Sequence, residues 1–211
     1  MLKNESYEEG ARYLITESIN YVNKKKIKNI LGSNTCPICK KNNDQFIHIS
    51  NHMHFAFNSI CPWCSSRSRH RALYFLYNTK FKNLKYQIKI LHFAPEIVFS
   101  QFFNKNKKII YHTADLDIQE VDYPNLDIQN MDIVDCSYDY ILCNHVLEHV
   151  KNDELALKEI NRILSPNGKA IITIPGDLTR HKTKSFNSVL PNGHFRDYGY
   201  DYINILKKYF G

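Results

Sequence analysis

From residue 86 onward, short apolar runs alternate with stretches of helical period, and few folds satisfy that alternation. Tyr86–Phe93, Lys108–Ala114, Tyr138–Cys143 and Lys169–Ile174 read as strands, with 126–128 as a further short one. Glu96–Phe103 reads as a helix. Asn152 caps another that runs through Leu164 and stops at Pro166-Asn167-Gly168. Tyr198–Tyr209 reads as the last. Strands joined through helices require crossovers, hence a parallel sheet covered on both sides. The expected class is α/β, a Rossmann-like, doubly wound and mostly parallel sheet with helices on both faces.

The first third of the chain is different. Ser6 with Glu9 forms a capping box for a helix over 6–31, which defines an N-terminal segment 1–33. Cys36-Pro-Ile-Cys39 and Cys61-Pro-Trp-Cys64 then follow, 21 residues apart. Each CxxC turn can aim two thiolates at one ion, and two turns complete a tetrahedral shell. Cys36, Cys39, Cys61 and Cys64 are therefore expected to hold a structural zinc in a small N-terminal zinc ribbon, which with a connecting helix from Arg67 spans 34–80. A closed four-thiolate site leaves no position for a catalytic water. Arg67, Arg69 and Arg71 follow at once and can offset its negative charge. His48, His52 and His54 lie between the pairs and read as loop histidines.

Charge follows the same division. Residues 1–89 carry 15 Lys+Arg against 5 Asp+Glu, and residues 90–211 carry 13 against 16. A basic part attached to a mildly acidic part suggests two modules and permits an anionic partner without naming one. The segment MLKNESYEEGARYL lacks a basic start followed by an apolar run. No stretch reaches the roughly 18 apolar residues of a membrane span. These features predict a cytoplasmic protein that does not cross a membrane.

In an open parallel sheet, ligands bind beyond the carboxyl ends of the strands. The residues at those ends here are His92-Phe93-Ala94-Pro95-Glu96, then Asp115 and Leu116, then Asp127 and Ile128, then Asn144 and His145. A carboxylate accepts hydrogen bonds, which suits ribose hydroxyls and an adenine amino group. No glycine occurs between Gly32 and Gly168, so the glycine-rich pyrophosphate loop is absent. That excludes the usual NAD or FAD site and leaves room for a nucleoside cofactor without phosphates.

IKILHFAPE, IIYHTADLD, LDIQNMDIVDCSYDYILCNHVLEHV and LKEINRILSPNGKAIITIP occur in the order of the motifs of class I S-adenosylmethionine-dependent methyltransferases, which they resemble. More narrowly, the chain is similar to bacterial methyltransferases with HFAPE in place of the glycine-rich loop. The stretch from Cys61 to Arg71 resembles their CPxC…SRxRHR segment, and the stretch from His194 to Tyr202 their C-terminal H-x-R-x-YG-x-DY element. The resemblance implies a Rossmann-like methyltransferase domain over 81–211 with S-adenosyl-L-methionine as cofactor. It implies that His92, Phe93, Ala94, Pro95 and Glu96 pass along the methionine part and that Asp115 and Leu116 meet the ribose. Asp127 and Ile128 would hold the adenine, and Asn144 and His145 would border the methyl-transfer centre.

The expected activity is methyl transfer to a small polar acceptor. His145 or His194 is the candidate base. Arg196 and Tyr198 are candidate substrate-binding residues, with Arg196 suited to a phosphate-bearing acceptor. The resemblance leans toward surface-polysaccharide or nucleotide-linked precursors. Two other readings stand beside this one: an RNA methyltransferase whose zinc ribbon grips the nucleic-acid backbone, and a non-catalytic zinc-ribbon scaffold. His145-Val-Leu-Glu148-His149 fits the H-x-x-E-H pattern of metalloproteases, but that reading is rejected: the pattern is short, no third ligand is evident in the sequence, it abuts a strand end, and His149 reads as a packed, hydrogen-bonded residue.

Overall fold

The computed structural model describes residues 34–50, 55–177 and 179–211. The helix expected over 6–31, and His52 and His54, lie outside the described residues. The chain divides into two compact units, the first ending at Asn83 and the second beginning at Leu84.

The first unit is built around two turns of the same design. β1 (Asn34–Thr35) pairs antiparallel with β2 (Asn42–Asn43), and β3 (Ile47–Ser50) with β4 (Phe55–Ile60). The first pair brackets Cys36–Cys39, and β4 runs into Cys61–Cys64. In each turn the first cysteine's carbonyl accepts from the backbone N–H four residues on, Lys40 or Ser65, at 2.9 Å. Its own N–H donates to the next carbonyl, Lys41 or Ser66, at 3.0 and 2.9 Å. The tight reversal forces Lys40 (φ 61°) and Ser65 (φ 56°) into the left-handed region. Helix α1 (Ser68–Phe81) follows the second turn, with Leu73, Tyr77 and Phe81 buried at four-residue spacing.

The second unit is a five-stranded parallel sheet in the order β7-β6-β5-β8-β9, made of β5 (Ile88–Phe93), β6 (Ile109–Asp115), β7 (Tyr123–Pro124), β8 (Tyr138–Asn144) and β9 (Leu164–Thr173). Helix α2 (Ile97–Asn104) links β5 to β6, and α3 (Asp153–Ile163) links β8 to β9. β5 is buried on both sides. His92 meets Phe99 and Phe103 of α2, while Leu91 and Phe93 join Ile141 and Cys143 in a core with Leu157, Ile160 and Ile163 of α3. A strand buried on both faces must read as a continuous apolar run, and IKILHF nearly does. Beyond β9, β10 (Lys184–Ser185) pairs with β11 (Arg196–Asp197), and α4 (Tyr202–Phe210) ends the chain.

Three expected elements are displaced. The third strand is Tyr123–Pro124, not 126–128. It pairs with Ala114 and Asp115, whereas the Asp127 side chain accepts the Gln129 N–H at 2.9 Å and turns the chain. β9 begins at Leu164 and carries the Pro166-Asn167-Gly168 turn within it, as an irregularity between the pairings of Tyr138 and Tyr140. The last helix starts at Tyr202. Tyr198 is drawn into extended pairing with Gly176, and its carbonyl accepts the Asp177 N–H at 3.1 Å. Among the described residues, no helix is long and apolar enough to cross a membrane.

Candidate active site and metal centre

The four cysteines of the first unit converge. All four sulfurs lie within 4.8 Å of one another, with Cys36 Sγ to Cys64 Sγ and Cys39 Sγ to Cys61 Sγ both at 3.8 Å. Zinc bonded to four thiolates at about 2.3 Å places its sulfurs about 3.8 Å apart, so the cluster fits the ion. Ser66 Oγ lies 3.2 Å from Cys64 Sγ and 3.6 Å from Cys36 Sγ, and Asn43 Nδ2 lies 3.9 Å from Cys61 Sγ. These groups can donate to thiolate sulfur. Burial works against the Cys36 thiolate, but hydrogen bonds from the Cys39 backbone and the Ser66 hydroxyl outweigh it and bring the thiol down to about 6. Burial pushes Cys39 up to about 12. Burial and hydrogen bonding thus pull Cys36 and Cys39 in opposite directions, and a bound dication would favour the thiolate at both.

Arg71 supports the second turn from behind. Its guanidinium donates to the carbonyls of Ser59, Ser66 and Asn58 at 2.9–3.0 Å and stacks over Phe46 at 4.0 Å. His48 is not a loop residue. It lies in β3, 4% exposed, with Nδ1 accepting the Asn58 N–H at 2.8 Å and Nε2 2.9 Å from Gln45. Both ring nitrogens are used, so it is a packed histidine.

In the second unit, the chain passes from β5 outward to β6 and β7, then returns to β8 on the other side of β5. That reversal opens a crevice at the carboxyl ends of the central strands. A pocket of about 420 Å³ occupies it. Phe93, Ala94, Asp115, Leu116, Asp127, Ile128 and His145 line it, together with His149 and Lys151. Asp115 Oδ1 accepts the backbone N–H groups of Asp117 and Ile118 at 2.8 and 2.9 Å, which fixes its carboxylate at the pocket wall. Ala94 takes φ 46°, in the left-handed region, and its N–H donates to the Ala114 carbonyl at 2.9 Å.

His92, Glu96 and Asn144 are not among the residues lining this pocket. His92, wholly buried, lies 2.9 Å from Glu96 Oε2 and 2.8 Å from the Tyr111 hydroxyl, and Asn144 Nδ2 donates to Glu96 Oε2 at 3.1 Å. Together they tie the end of β5 to that of β8 and to the start of α2. Pro95 lines a separate cavity of about 480 Å³.

Arg196 and Tyr198, expected to face substrate, are turned inward. The Arg196 guanidinium donates to the carbonyls of Leu147, Val150 and Lys151 at 2.7–3.1 Å and lies 3.4 Å from Asp153 Oδ2. Tyr198 is fully buried against Tyr202 and donates to Asp153 at 3.4 Å. Their polar groups are consumed in bracing residues 147–153 rather than offered to a ligand.

The segment they brace carries His145-Val-Leu-Glu148-His149, with a 3-10 turn at Leu147–His149. His145 (φ 54°) places Nδ1 3.1 Å from Glu148 Oε1. The carboxylate accepts, so Nδ1 carries the proton and Nε2 keeps its lone pair. Glu148 is 1% exposed. His149 Nδ1 donates to the Gly193 carbonyl at 3.0 Å, and the rings of His149 and His194 meet edge to face at 4.9 Å. Burial lowers the His194 pKa, favouring the neutral ring. In the sequence Glu148 stands close only to His145 and His149. The approach of His194 depends on the loop after β10, which no local pattern reports.

Residues 96–172 match a family model described as a methyltransferase domain. The methyltransferase match covers less than half of the chain but includes Asp115, Asp127, His145, Glu148 and His149. No curated protein sequence matches the chain. Among solved structures, the 4+2 cyclase SpnF aligns at 16% identity and TM-score 0.52, over 65% of this chain and 56% of that one. Phosphoethanolamine N-methyltransferase 2 of Haemonchus contortus, in complex with S-adenosyl-L-methionine, aligns at 18% identity and TM-score 0.48, over 72% and 37%. A candidate methyltransferase from Bacillus halodurans C-125 aligns at 15% identity and TM-score 0.48, over 63% of each chain. The chain thus spans less than two thirds of each of these neighbours. At such identity the cyclase alignment shows the fold, and a fold does not choose a reaction.

Proposed function

We propose that this chain is an S-adenosylmethionine-dependent methyltransferase of the group that carries HFAPE at the end of the first strand. Its acceptor is a small polar molecule of the surface-polysaccharide or nucleotide-linked precursor class. Residues 81–211 form the transferase domain, and residues 34–80 form a zinc-stabilised ribbon with its helix. The observation that carries the reading is the position of Asp115. It closes β6 inside a pocket at the sheet's reversal that Asp127 and Ile128 also line, within a segment that matches a methyltransferase domain.

Asp115 accepts from the ribose hydroxyls, while Asp127 and the buried Ile128 take the adenine edge and face. Bound there, S-adenosylmethionine supplies a methyl group already activated by its sulfonium, so the chain's contribution is alignment. For a hydroxyl acceptor, His145 Nε2 is the base that would hold the proton the acceptor gives up. Glu148 steadies the resulting imidazolium through Nδ1.

Calorimetry with S-adenosylhomocysteine on the zinc-loaded chain tests this reading. Binding that is weakened in Asp115→Ala supports it. No binding by folded, metallated protein overturns it in favour of a scaffold.

A further inference from the structure

We propose that Glu148, His149 and His194 form a second metal centre, distinct from the four cysteines, which takes one divalent transition-metal cation at the rim of the 420 Å³ pocket. One ligand atom from each of the three residues lies within 4.8 Å of the other two. His149 also lines the pocket, so the cluster and the pocket share a wall.

Two features point to a cation rather than to chance proximity. The first is the tautomer of His149. A carbonyl can only accept, so the 3.0 Å contact with Gly193 places the proton on Nδ1. In the neutral ring Nε2 then carries the lone pair, 4.0 Å from Glu148 Oε1. A lone pair and a carboxylate this close repel unless a proton or a metal cation lies between them. A backbone carbonyl that accepts from the other ring nitrogen in this way is the usual partner of a ligating imidazole.

The second feature is unspent bonding capacity. Glu148, 1% exposed, has Oε2 buried with no hydrogen-bond partner. His194 Nδ1 is likewise buried and unpartnered. Buried polar atoms are rarely left unsatisfied, and a buried carboxylate needs compensating charge. His145 supplies one hydrogen bond to Oε1, which leaves Oε2 for another partner.

The backbone is shaped for the same purpose. Gly193 takes φ +82°, and a Cβ there would stand 2.9 Å from His149 Nδ1. Only glycine lets its carbonyl approach that ring.

Two imidazoles and one carboxylate suit zinc, cobalt, iron or nickel rather than magnesium or calcium. Three protein ligands leave a coordination position for an acceptor oxygen, which a dication would acidify. Metal binding itself does not depend on the pocket taking a nucleoside.

The test is a metal count on the full chain. Protein equilibrated with Zn²⁺ should carry two ions per chain by mass spectrometry. Co²⁺ added to chain already holding one zinc should give visible d–d bands without sulfur-to-cobalt charge-transfer absorption. His149→Ala and His194→Ala should each weaken the second ion at least tenfold and leave the first in place. His149 is half exposed, so its variant preserves the fold, which circular dichroism verifies; Glu148→Gln provides a third arm. A single zinc per chain in the wild type overturns the proposal. So does a second ion unmoved by both histidine variants, or one removed instead by His181→Ala on the surface.

Discussion

His145 and Glu148 form a hydrogen bond of 3.1 Å in which the acceptor is almost wholly shielded from water and the donor ring opens onto the pocket. The contact fixes one tautomer. Nitrogen-15 NMR should find His145 protonated at Nδ1, and Glu148→Leu, which removes the acceptor, should lose that preference. His145→Asn keeps a residue type that tolerates φ 54° while removing the base. Turnover of a hydroxyl acceptor should fall by about 10²–10⁴, with S-adenosylhomocysteine affinity kept within a few-fold.

Asp115 is held at the pocket wall by two backbone amides. Asp115→Ala leaves ribose donors unpaired and should weaken S-adenosylhomocysteine by roughly 1–3 kcal/mol. Calorimetry measures the change, and unchanged affinity would remove Asp115 from the cofactor site.

Arg71 spends its guanidinium on three backbone carbonyls around the second cysteine turn. Arg71→Ala should destabilise the first unit by about 2 kcal/mol, since several charge-assisted hydrogen bonds are lost together. Arg71→Lys should not restore it, because an ammonium lacks the planar fork. Faster zinc release to a chelator is the readout.

Ser65 occupies the left-handed region, is exposed, and needs only its backbone N–H for the turn. Ser65→Gly relieves that strain and should raise stability by up to about 1 kcal/mol. Denaturant titration of the zinc-loaded chain checks it.

Arg162 ties α3 to the loop before β8. It pairs with Glu159 and Asp135 and donates to the carbonyls of Ile133 and Met131. The hydrogen bond from Arg162 holds Glu159 below the ordinary glutamate value. A depressed carboxylate contributes stability above its unfolded pKa and loses it as pH falls through the folded one. The stability difference between wild type and Arg162→Ala should therefore be full at neutral pH. It should shrink as pH drops below about 4.3, as followed by thermal melts across pH.

What the sequence determined by itself was local. Two CxxC turns closed by short backbone bonds, and apolar runs such as IKILHF and YILC, specify their own geometry over a few residues. The cysteine cluster and the central strands were legible for that reason. So was the crevice beyond them, because parallel strands place their carboxyl ends together.

What only the tertiary structure decided involves residues far apart in the chain. Arg196 and Tyr198 look like surface polar residues in a loop, yet they turn inward because carbonyls at 147–151 and the Asp153 carboxylate need partners. The third strand is Tyr123–Pro124 because edge pairing with Ala114 and Asp115 outweighs the apolar residues at 126–128. His194 reaches Glu148 across 46 positions, and the Gly193 carbonyl selects the His149 tautomer. Hydrogen-bond demand inside a folded core is satisfied by whichever group the topology delivers, and that delivery has no signature in residue spacing.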